Sequence, residues 1–268
     1  MNHDVRVCGV DGYPDGWVVV TTGLSPATDV DISVVPGFDH IVALVKGGLV
    51  QHVAVDMPIG LDRGQVRAAD QECRKLLGRR RSSMFTSPPE VSINAETHAE
   101  ATASATADTG KGLSMQSFRL FPRILEVRTA MTPELQPAIS EVHPETSFAV
   151  LAGEPLAHGK KDLAGVVERL DLLEPHFPEV RRQLLAAALP KVAIDDVLDA
   201  YAAAWTARRM ASGGSCRSHS RQPIPGTPPP ETVIAKRVAA RCGTRRRPSL
   251  IPLRLHRIPT STWWAGAR

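Results

Sequence analysis

Four aspartates stand where the surrounding pattern calls for apolar residues. Asp11 ends the run Val5-Arg-Val-Cys-Gly-Val10, and Asp56 ends His52-Val-Ala-Val55. Asp196 and Asp199 lie three apart in Ile194-Asp-Asp-Val-Leu-Asp-Ala-Tyr201, hence on one face if that segment is helical. A carboxylate among apolar groups is costly unless it is paired or holds a cation. Strand-end acids together with a helix pair therefore point to a divalent-metal site. A two-metal site needs carboxylates converging from separate elements, and its ions activate the attacking water and stabilise the leaving oxygen in phosphoryl transfer. Oxygen ligands suit Mg²⁺ or Mn²⁺. Glu141-Val-His-Pro-Glu145 brings further acids from a third strand, with Glu145 an additional ligand candidate. Plainer readings stand beside these. Asp11 before Gly12 is also an ordinary turn residue, and Asp195 and Asp196 suit a helix start, where acids complement the macrodipole. A capping role does not explain Asp199, one turn further in.

The chain has 268 residues, and its 43 % apolar fraction allows a sizeable core. Aromatics make up only 4 %, so that core must be built from Ala, Val, Leu and Ile. No apolar run reaches the length of a membrane span, and the segment around Asp4 and Arg6 lacks a signal-peptide layout. Cys8, Cys73, Cys216 and Cys242 are too dispersed for a zinc site or a disulfide scaffold, so a cytoplasmic location is expected. The formal charge of +4 conceals a division. Of 32 Lys/Arg and 28 Asp/Glu, eleven basic residues and one acid (Glu231) lie in 216–268, which leaves 21 basic against 27 acidic residues in 1–215. The main domain is mildly acidic.

Residues 5–10 and 17–22 have strand patterns separated by the turn-rich Asp11-Gly-Tyr-Pro-Asp-Gly16, which predicts a hairpin. A third strand is expected over 31–35, a helix over 38–46, and a buried strand over 53–56. The spacing over 66–77 predicts a helix with Val66, Ala69, Cys73, Leu76 and Leu77 on one face. Residues 79–94 look irregular. Helices are expected over 94–107 and 114–123, the latter capped by Ser114 and broken at Pro122. A strand over 140–143 should close at Pro144, and a short helix should begin at Phe148. Residues 162–173 predict a helix with apolar positions 163, 166, 167, 170 and 173, and further helices follow over 179–189 and 194–210. This order predicts a mixed α/β or α+β layering around one sheet. Periodicity fails after Gly214, and the basic, Pro-rich stretch 216–268 reads as disordered. Its composition is that of a shifted reading frame in a GC-rich gene.

Six ordered motifs carry a family resemblance: Gly9-Val-Asp-Gly12 with Gly16-Trp17, Val55-Asp-Met-Pro-Ile-Gly-Leu61, Leu77-Gly-Arg-Arg-Arg-Ser-Ser-Met-Phe85, Gly110-Lys-Gly-Leu-Ser-Met-Gln116, Glu141-Val-His-Pro-Glu-Thr-Ser-Phe148 and Asp195-Asp-Val-Leu-Asp-Ala200. From about residue 5 to 213 the chain resembles the DUF429 family, described as predicted nucleases with a ribonuclease H-like fold. The resemblance implies a mixed sheet, its first three strands antiparallel and the later ones parallel, with helices on both faces. It also implies metal binding by Asp11, Asp56, Asp196 and Asp199. The chain departs from the family at Asp15, where a small residue is usual, at Glu90, where a basic residue is common, and at Arg128, where an acid is usual.

Other groups complete the expected site. Arg79, Arg80 and Arg81 suit phosphates, or equally a solvated charge run at a helix end. Lys111 sits between two glycines that do not form a Walker loop. Gln116 and Lys161 are further substrate-binding candidates, and Lys160 and Lys161, just before a helix, read equally as surface residues or as phosphate ligands. His143 could orient a water or act as a general acid. The expected function is metal-dependent phosphodiester hydrolysis with nucleic acid as partner. The alternatives are an enzyme of the same fold acting on a nucleotide or small phosphorylated metabolite, and a non-catalytic metal-binding module.

Overall fold

The computed structural model describes residues 5–25, 29–187, 189 and 191–213. The expectations for 216–268, including the Cys216 and Cys242 thiols, lie outside them. Five strands, β1 (Arg6–Tyr13), β2 (Gly16–Gly23), β3 (Val30–Val35), β4 (His52–Val55) and β5 (Ile139–Glu141), form one sheet in the order β3-β2-β1-β4-β5. β1 pairs antiparallel with β2, and β2 with β3, whereas β1–β4 and β4–β5 are parallel. The expected hexapeptide turn is shorter than predicted. β1 continues through Asp11 to Tyr13, and only Pro14 and Asp15 connect it to β2. Proline's fixed φ suits the first of two turn positions. Asp15 is exposed there and pairs with Lys191 at 2.8 Å.

Strand alternation divides the core into two layers. Cys8, Val10, Val53 and Val55 face Phe38, Ile41, Ile124 and Val127 from α1 (Phe38–Lys46) and α5 (Phe121–Ala130). On the opposite face, Val7 and Ala54 meet Ala203 and Ala207 of the long helix α9 (Ile194–Ala211). Val18 and Val20 pack on its Leu198, Tyr201 and Trp205 together with α6 (Pro144–Ala152) and α7 (Leu163–Leu173). The expected α/β architecture, a mixed sheet flanked by helices, is the one observed. Among the described residues the remaining helices are α2 (Ala68–Leu77), α3 (His98–Thr109), α4 (Met115–Arg119) and α8 (Val180–Ala186). None among the described residues is long and apolar enough to cross a membrane.

Several local readings needed correction. Ser114 does cap a helix, accepting from Ser117 N–H at 3.1 Å, but Pro122 lies in the first turn of α5 instead of breaking a helix there. Pro144 likewise opens α6, since proline's missing donor costs nothing in a first turn. Residues 79–94, expected to be irregular, hold two 3₁₀ turns, Gly78–Ser83 and Glu90–Ser92. The buried faces of α2 and α7 keep Cys73, Leu77, Leu173 and the partly buried Val166 and Leu170 of the predicted sets, but they also take in charged residues. α2 buries Asp70, Cys73 and Leu77 and leaves Leu76 exposed. α7 buries Gly165, Arg169 and Leu173, while Leu163 is 81 % exposed. Buried ion pairs lie there, Arg67–Asp70 at the start of α2 and Arg169 of α7 with Glu145 of α6.

Candidate metal centre

Three elements carry the acids to one point. The register Val10↔Val55 sets Asp11 and Asp56 side by side at the C-terminal edge of adjacent parallel strands, and the Asp56 N–H donates to the Val10 carbonyl at 2.9 Å. Alternation turns both side chains to the face that carries Gly9 and Ala54, beneath α9. α9 reaches that face because Gly9 has no side chain. A Cβ there would lie 2.0 Å from both the Ala200 oxygen and the Ala204 nitrogen. Ala200, Ala203, Ala204 and Ala207, all fully buried, form the matching stripe on the helix. This close approach lowers Asp199 onto the strand pair. One carboxylate oxygen from each of Asp11, Asp56 and Asp199 lies within 4.8 Å of the others.

The three acids carry a heavy electrostatic load. Burial, then the charges of Asp56, Asp199 and Asp196, hold the Asp11 carboxyl well above the ordinary carboxylate range. Burial and Asp199 do the same to Asp56. Burial pushes Asp199 up to about 6 although Lys160 opposes the shift. Asp11 Oδ1 accepts the Gly12 N–H at 2.7 Å. Asp199 Oδ2 accepts from Lys160 at 2.7 Å, and its Oδ1 is buried without a hydrogen-bond partner. Burial weakens the Lys160 ammonium, but Asp199, Asp11 and Asp56 more than offset that and keep it charged. Crowded carboxylates with an unsatisfied buried oxygen and all-oxygen donors fit a divalent cation.

The other predicted residues are placed differently. Asp196 lies on the first turn of α9, close enough to raise Asp11 but outside the trio. Glu145 acts on Asp56 and Asp199 through its charge, while its Oε1 is held by the fully buried Arg169 and its Oε2 has no partner. His143, at the start of α6, is pushed down to about 4 by burial and by the Lys160 and Arg67 charges, so its imidazole is neutral at neutral pH. It lines a cavity of about 30 Å³ with Asp56, Arg67, Cys73 and Glu141. That volume admits a water, which suits its buried, unpartnered Nδ1. Arg79 and Arg81 are exposed on the 3₁₀ turn and Arg80 is half-buried. Lys111 and Gln116 are exposed on and after the α3–α4 loop. Lys161 is exposed and its charge acts on Asp196.

A family model described as a protein of unknown function, DUF429, matches residues 9–224. The chain belongs to the DUF429 family. Searches of curated proteins and of solved structures returned no match. In this DUF429 chain, Arg128 donates to Glu90 at 2.8 Å, and Arg63 adds a second bond to Glu90 at 2.7 Å.

Sequence reasoning missed the arginines around the acids and left Lys160 open between a surface residue and a phosphate ligand; the structure puts it in contact with the trio. Arg67 is buried and donates to Asp70, to both Glu141 oxygens at 2.7 and 2.8 Å, and to the Gly60 carbonyl at 2.7 Å. It thereby commits Glu141 to fixing the loop after Asp56, where Glu141 also accepts the Ile59 N–H at 2.9 Å. The available signal was the i,i+3 spacing of Arg67 and Asp70; Arg169 left none, because its partner Glu145 is 24 residues away.

Proposed function

We propose that this DUF429 protein is a divalent-metal-dependent phosphodiester hydrolase acting on nucleic acid, with Asp11, Asp56 and Asp199 as metal ligands. One observation carries the reading: carboxylates from β1, β4 and α9 converge within 4.8 Å, and one buried oxygen lacks a partner. Hard oxygen donors favour Mg²⁺ or Mn²⁺ over softer ions. A bound dication supplies Lewis acidity, which acidifies a water and takes up charge developing on phosphoryl oxygens. The chain's own residues do the rest. The Gly12 N–H orients Asp11, and Lys160 orients Asp199. Asp196 and Glu145 add negative potential around the trio, and the neutral His143 faces the adjacent cavity, where its Nδ1 can hold a water. Arg79, Arg80, Arg81, Lys111, Gln116 and Lys161 are the proposed contacts to a polyanionic substrate. Acids on the first strand, its parallel neighbour and the last long helix are also the arrangement of ribonuclease H-like enzymes, a fold-level support for the nuclease reading. The free, buried Cys8 and Cys73 suit a reducing cytoplasm.

The test incubates the purified full chain with single- and double-stranded DNA and RNA in Mg²⁺ or Mn²⁺. Cleavage should require the metal and should fall by about 100-fold or more in Asp11→Asn, beyond what loss of a supporting residue typically costs. Cleavage that survives this substitution would trace to a contaminant and end the reading. Turnover of mononucleotides alone would reassign the substrate to a small phosphorylated metabolite.

A further inference from the structure

Lys160 stands at the edge of the trio. Its Nζ is 2.7 Å from Asp199 Oδ2 and 3.5 Å from Asp195 Oδ2, and the side chain is 36 % exposed. The segment that carries it is held from several sides. Glu168 accepts the N–H groups of Ala157 and His158 at 2.8 and 3.0 Å. Gly165 lets α7 come so close that a Cβ there would lie 1.8 Å from the Gly159 oxygen. Arg169 donates to the His158 carbonyl at 3.4 Å and the Gly165 carbonyl at 2.9 Å, and pairs with Glu145. A solvated lysine draws no benefit from a buried arginine and a glycine contact beneath its loop. This lysine is placed.

We propose that Lys160 takes the place of a second metal ion: a fixed cation that, beside one divalent ion, completes the charge of the centre and receives a phosphate oxygen of the substrate. The inference rests on the metal-dependent reading above. The trio carries three negative charges, which one ammonium and one dication neutralise. Glu145, the acid that could serve a second ion, is already matched by Arg169, and Glu141 is bound by Arg67. Asp199 joins the two cations, since Oδ2 is taken by Lys160 and Oδ1 is left without a partner. An ammonium has three donors, and its partial exposure leaves donors open to an incoming anion.

Calorimetric titration of the full chain with Mn²⁺ should find one ion bound; two in the wild type would overturn the proposal. Lys160→Met should bind Mn²⁺ about tenfold or more tightly, because a unit positive charge beside Asp199 is gone. Lys160→Arg should stay within about threefold of the wild type, since the charge remains. Equal affinities for wild type and Lys160→Met would overturn the inference. Despite its tighter ion, Lys160→Met should lose roughly 100-fold in kcat/KM on nucleic acid, in the range for removal of a charge-stabilising donor; undiminished turnover would also overturn it. One ion bound with the expected gain in Lys160→Met, but no cleavage by the wild type, would remove the nuclease reading and leave Lys160 as the second cation. No Mn²⁺ bound by any of the three proteins would remove both.

Discussion

Gly9→Ala is the smallest change that separates the two halves of the acidic centre. The added Cβ would sit 2.0 Å from two backbone atoms of α9, and relaxing to an ordinary separation of about 3.4 Å moves the helix off β1 by roughly 1.4 Å. The obstructing atoms are main chain and cannot rotate away, so the cost belongs at the upper end of overpacking, about 3 kcal/mol. The gain from removing a flexible glycine from the unfolded chain returns about 0.5–1 kcal/mol. A net loss of about 2 kcal/mol lowers Tm by roughly 4–8 °C in a domain of this size. The same displacement lifts Asp199 from Asp11 and Asp56, so Mn²⁺ affinity should fall by about tenfold or more, as for loss of support to a metal ligand. Thermal melts and Mn²⁺ titration of the variant read both effects. A Gly9→Ala protein that melts within about 2 °C of the wild type and binds Mn²⁺ equally would refute the claim that Gly9 sets the depth of α9.

Other consequences follow from the same charges. Without metal, Asp56→Asn should melt at a higher temperature than the wild type at pH 7.5, because it relieves repulsion with Asp199, while its Mn²⁺ affinity should drop; a lower melting temperature would contradict the repulsion. The metal-free protein should lose stability as pH rises. The Asp199 carboxyl is raised to about 6 from its ordinary 3.8, so the folded state holds the extra proton, and the stabilisation present below pH 4 disappears as pH passes about 6. Asp11 and Asp56 extend the loss to higher pH, and Mn²⁺ at pH 7.5 should restore the melting temperature; a flat profile from pH 4 to 8 would oppose this. Arg169→Leu should cost about 3–5 kcal/mol in denaturant unfolding by leaving Glu145 buried and unpaired, and adding Glu145→Gln should recover part of it.

Much of the frame was legible in the chain. Valine-rich runs with turn residues between them predicted β1 to β4 within a few residues, and the 38–46 helix has its predicted bounds. Pro122 was misread as a helix break, and α6 starts at Pro144 instead of the expected Phe148; in both, proline lacks a donor that a first helical turn does not need. The charged residues on the buried faces of α2 and α7 have a different cause. Periodicity counts apolar side chains only, so it passed over Arg67 despite its i,i+3 partner and could not register Arg169, whose partner is 24 residues away, while exposed Leu76 and Leu163 were assigned to the core.

The sequence by itself determined which acids stand in apolar surroundings, because strand ends and an alanine-rich helix can be read from local order. It also separated the acidic main domain from the basic 216–268 stretch. Only the tertiary structure decided which acids meet. Parallel register joins Asp11 to Asp56, and the missing side chain of Gly9 brings Asp199 down to them. Asp196, three residues before Asp199, stays outside the trio, and Glu141 and Glu145 are engaged by arginines distant in the chain. Lys160, left open between a surface residue and a phosphate ligand, became the cation in contact with the centre. Charge pairing acts through space over a few ångströms, and residue order does not encode those separations until the helices have packed.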